Sequence, residues 1–114
     1  INLINWRYLS ANLNAKHLLE KNTDKICWVL ASKNPSLLEL LVNNKDKIYV
    51  ATLCENTNED ILNILIPLFE EKIDWYRLSS NPSAFNILKK YKNKINKYGI
   101  ENNPNPHIKN WFNK

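Results

Sequence analysis

Asparagine stands at positions 12, 34, 56, 81 and 103, and six residues ahead of the first four come Trp6, Trp28, Val50 and Trp75. The interval from one Asn to the next is the same each time, apart from one step that is three longer. A unit of about 22 residues, with a short insertion in its third copy, therefore accounts for the chain. The Ile that opens each copy keeps the same register (Ile4, Ile26, Ile48, Ile73, Ile95), as does the acid–Lys pair closing the first three: Asp24-Lys25, Asp46-Lys47 and Glu71-Lys72. A fixed period this short restricts a chain to an array of like units, because no such unit can bury an apolar face alone. The copies run over about 4–25, 26–47, 48–72, 73–94 and 95–114, forming one helical-repeat domain over 1–114.

Each copy reads as two short helices. The first covers Trp-x-x-Leu-Ser, with Asn5 or Asp74 before the Trp as an N-cap. Asn-Pro then restarts the chain. Asn can accept from the orphan amides of a following helix, and Pro suits a first helical position. Pro35, Pro82 and Pro104 follow their Asn, while Leu13 and Thr57 stand there in the other copies. The second helix carries apolar residues at helical spacing: Ala15, Leu18 and Leu19, then Leu37, Leu40 and Leu41, then Ala84, Ile87, Leu88 and Tyr91. In copy three, "NTNEDILNILIPLFEEK" has a longer apolar run, which Pro67 is expected to kink or end. Copy five decays into "IENNPNPHIKNWFNK", as a terminal cap requires. The fold class expected is all-α, an α-solenoid of about five two-helix repeats with a degenerate C-terminal cap.

The pattern I-x-W-x-x-L-S-x-N-P-x-A-x-x-L-L-x-x-N-x-D-K is carried by "INWRYLSANLNAKHLLEKNTDK", "ICWVLASKNPSLLELLVNNKDK" and "IDWYRLSSNPSAFNILKKYKNK". It resembles a short tandem repeat in proteins of large DNA viruses that infect algae and amoebae. Copies three and five match in outline. The resemblance implies a viral origin and an interaction or structural role, and it brings no catalytic residues. Twenty Asn, twelve Ile and fourteen Lys against two Arg agree with an AT-rich coding genome.

Chemistry is thinly represented. His17 and His107 have no second ligand at metal spacing, and Cys27 and Cys54 match no metal or disulfide framework. Cys54 takes the slot of Ser10, Ser32 and Ser79, a small residue at a packed turn. The single Gly excludes a glycine-rich phosphate loop. No catalytic residue, cofactor or metal is expected, and no small-molecule substrate. No apolar run approaches membrane-spanning length and no signal-peptide pattern is present, which points to an intracellular setting, host cytoplasm or viral particle, rather than a membrane or secretion. The chain opens inside the pattern and reads as a piece of a longer repeat protein.

Trp6, Trp28 and Trp75 are read as core positions, since Val50 substitutes in the third copy. Asn12, Asn34, Asn56, Asn81 and Asn103 are read as caps between helices in preference to a ladder gripping an extended peptide. Surface candidates are the varying positions Arg7, Val29, Ala51 and Tyr76, with Tyr8, Leu30, Thr52 and Arg77 beside them. Charge supplies a second candidate. Residues 1–72 carry eight basic and nine acidic side chains, whereas residues 73–114 carry eight basic and two acidic. Lys89, Lys90, Lys92, Lys94 and Lys97 form a patch suited to an acidic partner or nucleic acid. The partner expected is another protein, viral or host. The function expected is a non-enzymatic interaction or scaffold module, with a virion structural protein or an electrostatic nucleic-acid binder as alternatives.

Overall fold

Where the backbone bonds of segments this short go decides the architecture. The computed structural model describes residues 4–114, and among them only helices, 3-10 turns and loops occur. In chain order the helices are α1 (Trp6–Ala11), α2 (Lys16–Glu20), α3 (Trp28–Ala31), α4 (Leu38–Val42), α5 (Val50–Leu53), α6 (Glu59–Leu65), α7 (Trp75–Ser79), α8 (Phe85–Lys90), α9 (Lys97–Glu101) and α10 (Pro106–Phe112). None is longer than α6 or α10, each of seven residues, and such pieces are too short to hold their form in water. Tertiary contacts therefore stabilise each of them. Short 3-10 turns at Thr23–Lys25, Lys45–Lys47 and Lys92–Lys94 lead into the next odd-numbered helix. Among the helices α1 packs on α3, α7 on α9, α4 on α6, α6 on α8 and α10 on α9. The body measures 56 × 24 × 18 Å.

Most of the apolar stripe read from the sequence forms the core, but two of its residues do not: Leu18 is exposed, and Tyr91 is half-buried because its hydroxyl reaches out to Glu70. Leu19, Leu37, Leu41, Leu53, Ile61, Leu62, Leu65, Leu78, Ile87 and Leu88 are fully or almost fully buried. The Trp side chains are only half-buried: Trp6, Trp28 and Trp75 pack against the rim of the core, and Trp75 meets Tyr91 with ring centroids 5.4 Å apart. A ring this large is seldom covered on every side. Pro67 ends α6 as its missing N–H dictates, and the chain continues as 3-10 turns over Ile66–Lys72, broken at Phe69 (φ −126°, ψ 30°).

The Asn side chains do something other than cap. Asn34 Nδ2 donates to Ser10 O at 2.9 Å and to Asn12 O at 3.0 Å. The same pair of bonds recurs from Asn56 to Ser32 O and Asn34 O, from Asn81 to Cys54 O and Asn56 O, and from Asn103 to Ser79 O and Asn81 O. Each Oδ1 accepts the amide two residues on, as from Ser36 N, Asn58 N, Ser83 N and Asn105 N. Four of these Asn are buried with every side-chain polar atom occupied. The sequence expectation of N-capping is therefore corrected. The Oδ1 closes an Asx turn, and the next three residues form a β-turn, with Leu37 N bonding Asn34 O and Ala84 N bonding Asn81 O. Pro35 and Pro82 occupy the second turn position, where their fixed φ fits, and the helix starts later. Ala15, Leu37 and Ala84 precede those helices without a side-chain cap, whereas Asn58 and Asn105 cap α6 and α10. The expected caps at Asn5 and Asp74 are present, accepting from Tyr8 N and Arg77 N, and Asn96 caps α9 in the same way.

A second rung uses the hydroxyls. Ser10, Ser32 and Ser79 are fully buried and accept the amides of Cys27, Tyr49 and Asn96, each from the start of the next unit. Ser10 and Ser32 donate in turn to Trp6 O and Trp28 O. The fit is close at Gly99, where a Cβ would stand 2.6 Å from Tyr76 O and 2.7 Å from Ser79 Cβ.

Two substitutions test this bonding in urea unfolding. Asn34→Ala or Asn81→Ala strands two buried carbonyls and an amide, and is expected to cost about 3 kcal/mol, against about 1 kcal/mol for a lost cap. Equal small losses at Asn34 and at Asn12, which among the described residues donates to no earlier carbonyl, would contradict the ladder. Gly99→Ala is expected to cost about 1–3 kcal/mol through overpacking of α9 on α7.

Candidate interaction surface

The exposed face of the odd-numbered helices follows from the ladder, which holds their C-terminal turns one above the next. Residues just inside each turn then share one side of the body. A hollow there of about 690 Å³ is lined by Lys33, Glu55, Asp74, Tyr76, Arg77, Ser80, Asn81 and Pro82. Arg77 Nε lies 3.5 Å from Glu55 Oε2 and 3.7 Å from Asp74 Oδ2. All three groups remain open to solvent, so these pairs orient the guanidinium more than they stabilise the fold. The Tyr76 hydroxyl accepts from Asn102 Nδ2 at 2.6 Å. Two cations, two anions and a fixed phenol make this a mixed, hydrogen-bonding surface without a dominant charge.

Tyr76 and Arg77, expected from the sequence, thus line the hollow together. Arg7 does not join them; it is exposed on α1 with a terminal nitrogen 3.8 Å from Cys27 Sγ. Val29 and Tyr8 are exposed, while Leu30, Ala51 and Thr52 are partly covered. Lys33, Glu55 and Ser80 were not anticipated. Their signal was present: they share the varying position directly before the ladder Asn, with Ala11 and Asn102.

The lysines form a separate face. Lys89, Lys90, Lys92 and Lys94 line a shallow hollow of about 260 Å³ with Tyr91 and Asn93, beneath the end of α8. Lys97 lies instead at a neighbouring hollow with Ile100, Glu101, Lys109, Phe112 and Asn113. Aromatic rings accompany the charges: Lys89 Nζ sits 4.3 Å from the Phe85 centroid and Lys92 Nζ 5.4 Å from that of Trp111, which packs edge-on to Phe85. Tyr91 donates its hydroxyl to Glu70 Oε1 at 2.7 Å, and desolvation together with that carboxylate pushes its pKa up to about 12.

His17 lies 3.6 Å from Glu20 on an open helix face, and His107 is exposed on α10. Among the described residues no group of three His, Cys, Asp or Glu side chains could hold a metal ion, and no helix is long and apolar enough to cross a membrane. Cys54 is fully buried in the serine slot. Burial pushes its thiol up to about 11, against the backbone amide of Asp74, which favours the thiolate. No family model matches the chain, and no curated protein or solved structure matches it either.

The thiol gives a pH prediction. Between its ordinary value of 9.0 and about 11 the unfolded chain has released the Cys54 proton while the folded chain holds it. Stability from this group is therefore full below pH 9 and is lost as pH rises toward 11. Cys54→Ser, which restores the residue of the other copies, is expected to flatten that part of the stability–pH curve measured by urea unfolding. In native protein at about pH 8, iodoacetamide should leave Cys54 unmodified until denaturant is added.

Proposed function

We propose that the chain is an α-solenoid of five two-helix units that serves as a non-enzymatic module for protein–protein interaction, a scaffold of the kind the viral-repeat resemblance implies. The observation that carries the reading is the recurrence of one hydrogen-bond pair at four successive Asn, each reaching back to the equivalent turn of the preceding copy. The pair survives the insertion in copy three, where both bonds simply span three positions more. The long dimension of 56 Å agrees with it, since five units share it at roughly 11 Å each, about the diameter of a helix with its side chains. At the last unit Glu101 takes the serine slot and an exposed Asn110 the slot of Leu88, which suits a terminal cap.

In such a stack the repeated residues are used up internally: both ends of each buried Asn are bonded within the chain, leaving nothing to grip a peptide. Recognition then falls to the varying side chains around the mixed-charge hollow, with Tyr76 as aromatic anchor and Arg77 as directed donor. Interfaces of this composition favour tyrosine and arginine and take their specificity from a few such residues.

A second reading is favoured by one observation. The Lys89–Lys94 hollow lies beside Phe85 and Trp111, and lysines among aromatic rings suit single-stranded nucleic acid. Salt separates the two. The test is affinity purification with the intact chain and with Tyr76→Ala/Arg77→Ala and Lys89→Gln/Lys90→Gln/Lys92→Gln variants, at low and high ionic strength. The scaffold reading expects a defined protein retained at high salt and lost with the first pair, at an unchanged melting temperature. Nucleic acid released by salt and lost with the lysine variant would replace it with the second reading.

A further inference from the structure

Like positions in the successive copies lie in like environments, and the N-terminal end departs from that rule. Leu18 is 40% exposed, whereas its equivalents Leu40, Leu62 and Ile87 are 4%, 0% and 1% exposed. Leu9 is half-buried, while Ala31, Leu53, Leu78 and Ile100 are buried. The polar groups show the same contrast. Asn12 Oδ1 closes its Asx turn on Asn14 N, yet among the described residues Asn12 Nδ2 donates to no carbonyl, unlike the other four ladder amides. Asn14 shares its slot with Asn58 and Asn105, whose Nδ2 groups donate to Pro35 O and Pro82 O one unit back. Among the described residues Asn14 Nδ2 likewise has no acceptor.

We infer that this end is a docking surface for one further helical unit of the same pattern. The inference rests on the stacked-unit reading above. The occupant is defined by what the four existing junctions supply. Asn12 Nδ2 requires two backbone carbonyls two positions apart, those of the partner unit's Ser and Asn positions. Asn14 Nδ2 requires the carbonyl of the residue after that Asn. Where this slot holds Asn, the previous unit has Pro (Pro35 before Asn58, Pro82 before Asn105); where it holds Ser36 or Ser83, the previous unit has Leu13 or Thr57. Asn14 thus calls for an Asn-Pro unit. Leu9 and Leu18 require an apolar second helix opposite them; the slot of Leu9 is buried in all four later copies and that of Leu18 in the three that hold Leu or Ile there.

The C-terminal end of a second copy is a poorer occupant. It offers Pro104, but Glu101 and Asn110 stand in its serine and leucine slots, so stacking there would enclose a carboxylate beside apolar side chains. Both end units also carry like net charge, four basic against two acidic residues in 1–25 and three against one in 95–114. Copy two has the required set in Ser32, Asn34, Pro35 and Leu41.

The experiment joins a second copy of residues 26–47 directly to Ile4, in place of residues 1–3, and compares melting midpoints with the native chain. The expected result is a higher midpoint, with Asn12→Ala removing only the Asx-turn bond from Asn14 N in the native chain and lowering the extended chain by roughly 5 °C more than that. Leu18→Lys is expected to follow the same pattern, tolerated in the native chain and harmful in the extended one. Asn34→Ala is the internal control in both. If Asn34→Ala is costly while the extension gives no rise and Asn12→Ala costs no more in it than in the native chain, the docking surface is overturned and the stack stands. If Asn34→Ala is itself silent, the stacked-unit reading fails first. Concentration-dependent self-association of the native chain that Asn12→Ala abolishes would make the occupant a second copy and overturn the one named here.

Discussion

The carboxamide of a buried asparagine is the constraint on which this structure depends. One amide carries two N–H donors and an oxygen with two lone pairs, and here it is shared between three backbone groups. The oxygen fixes the turn of its own copy, and the two hydrogens hold the turn of the copy before. Helices as short as these leave most of their backbone groups without intrahelical partners, so the turns between them hold more unpaired polar groups than the helices themselves satisfy. Burying those turns without partners would cost a few kcal/mol for each group. The Asn and Ser side chains supply the partners, and the turns can therefore sit in the interior while the apolar stripes close above and below them.

That arrangement explains why certain substitutions occur where they do. Cys54 can replace serine because the slot demands a small side chain that accepts an amide, and sulfur meets both demands weakly. Val50 can replace Trp because the ring sits at the rim, where loss of area leaves no enclosed cavity. The insertion in copy three is absorbed after Pro67, in the 3-10 segment that ends at Lys72, so the register of the Asn is recovered at Asn81. No ladder Asn is replaced in any copy, in keeping with the threefold occupancy of Asn34, Asn56, Asn81 and Asn103.

The proposed roles follow from the same economy. Residues that repeat are bonded within the chain and have little left to offer a partner. Residues that vary lie outside the ladder, on the face that carries Lys33, Glu55, Tyr76 and Arg77, or at the basic edge of the fourth copy. The two ends are also unlike: Glu101 and Asn110 stand in the serine and leucine slots of the last copy, while in the first Leu18 is exposed and, among the described residues, Asn12 Nδ2 has no acceptor.

The chain's period, its helical segments, the position of the apolar stripe and the break at Pro67 were legible in the sequence, because each depends on spacing along the chain. Tyr76 and Arg77 were legible as varying positions, although nothing local separated them from Arg7. The destination of the Asn amides was not legible. Asn-Pro before a helix has the same local signature whether the side chain caps that helix or closes a turn, and the carbonyls that complete its bonding lie a whole unit back along the chain. Only packing one turn on the next brings them within hydrogen-bond reach, and the same packing gathers Lys33, Glu55, Asp74 and Arg77, residues from three copies, into one hollow. Hydrophobic spacing acts within a unit, so the order of residues alone dictates what each unit must bury. What the polar groups bond to was decided by tertiary structure, since those partners exist only between units.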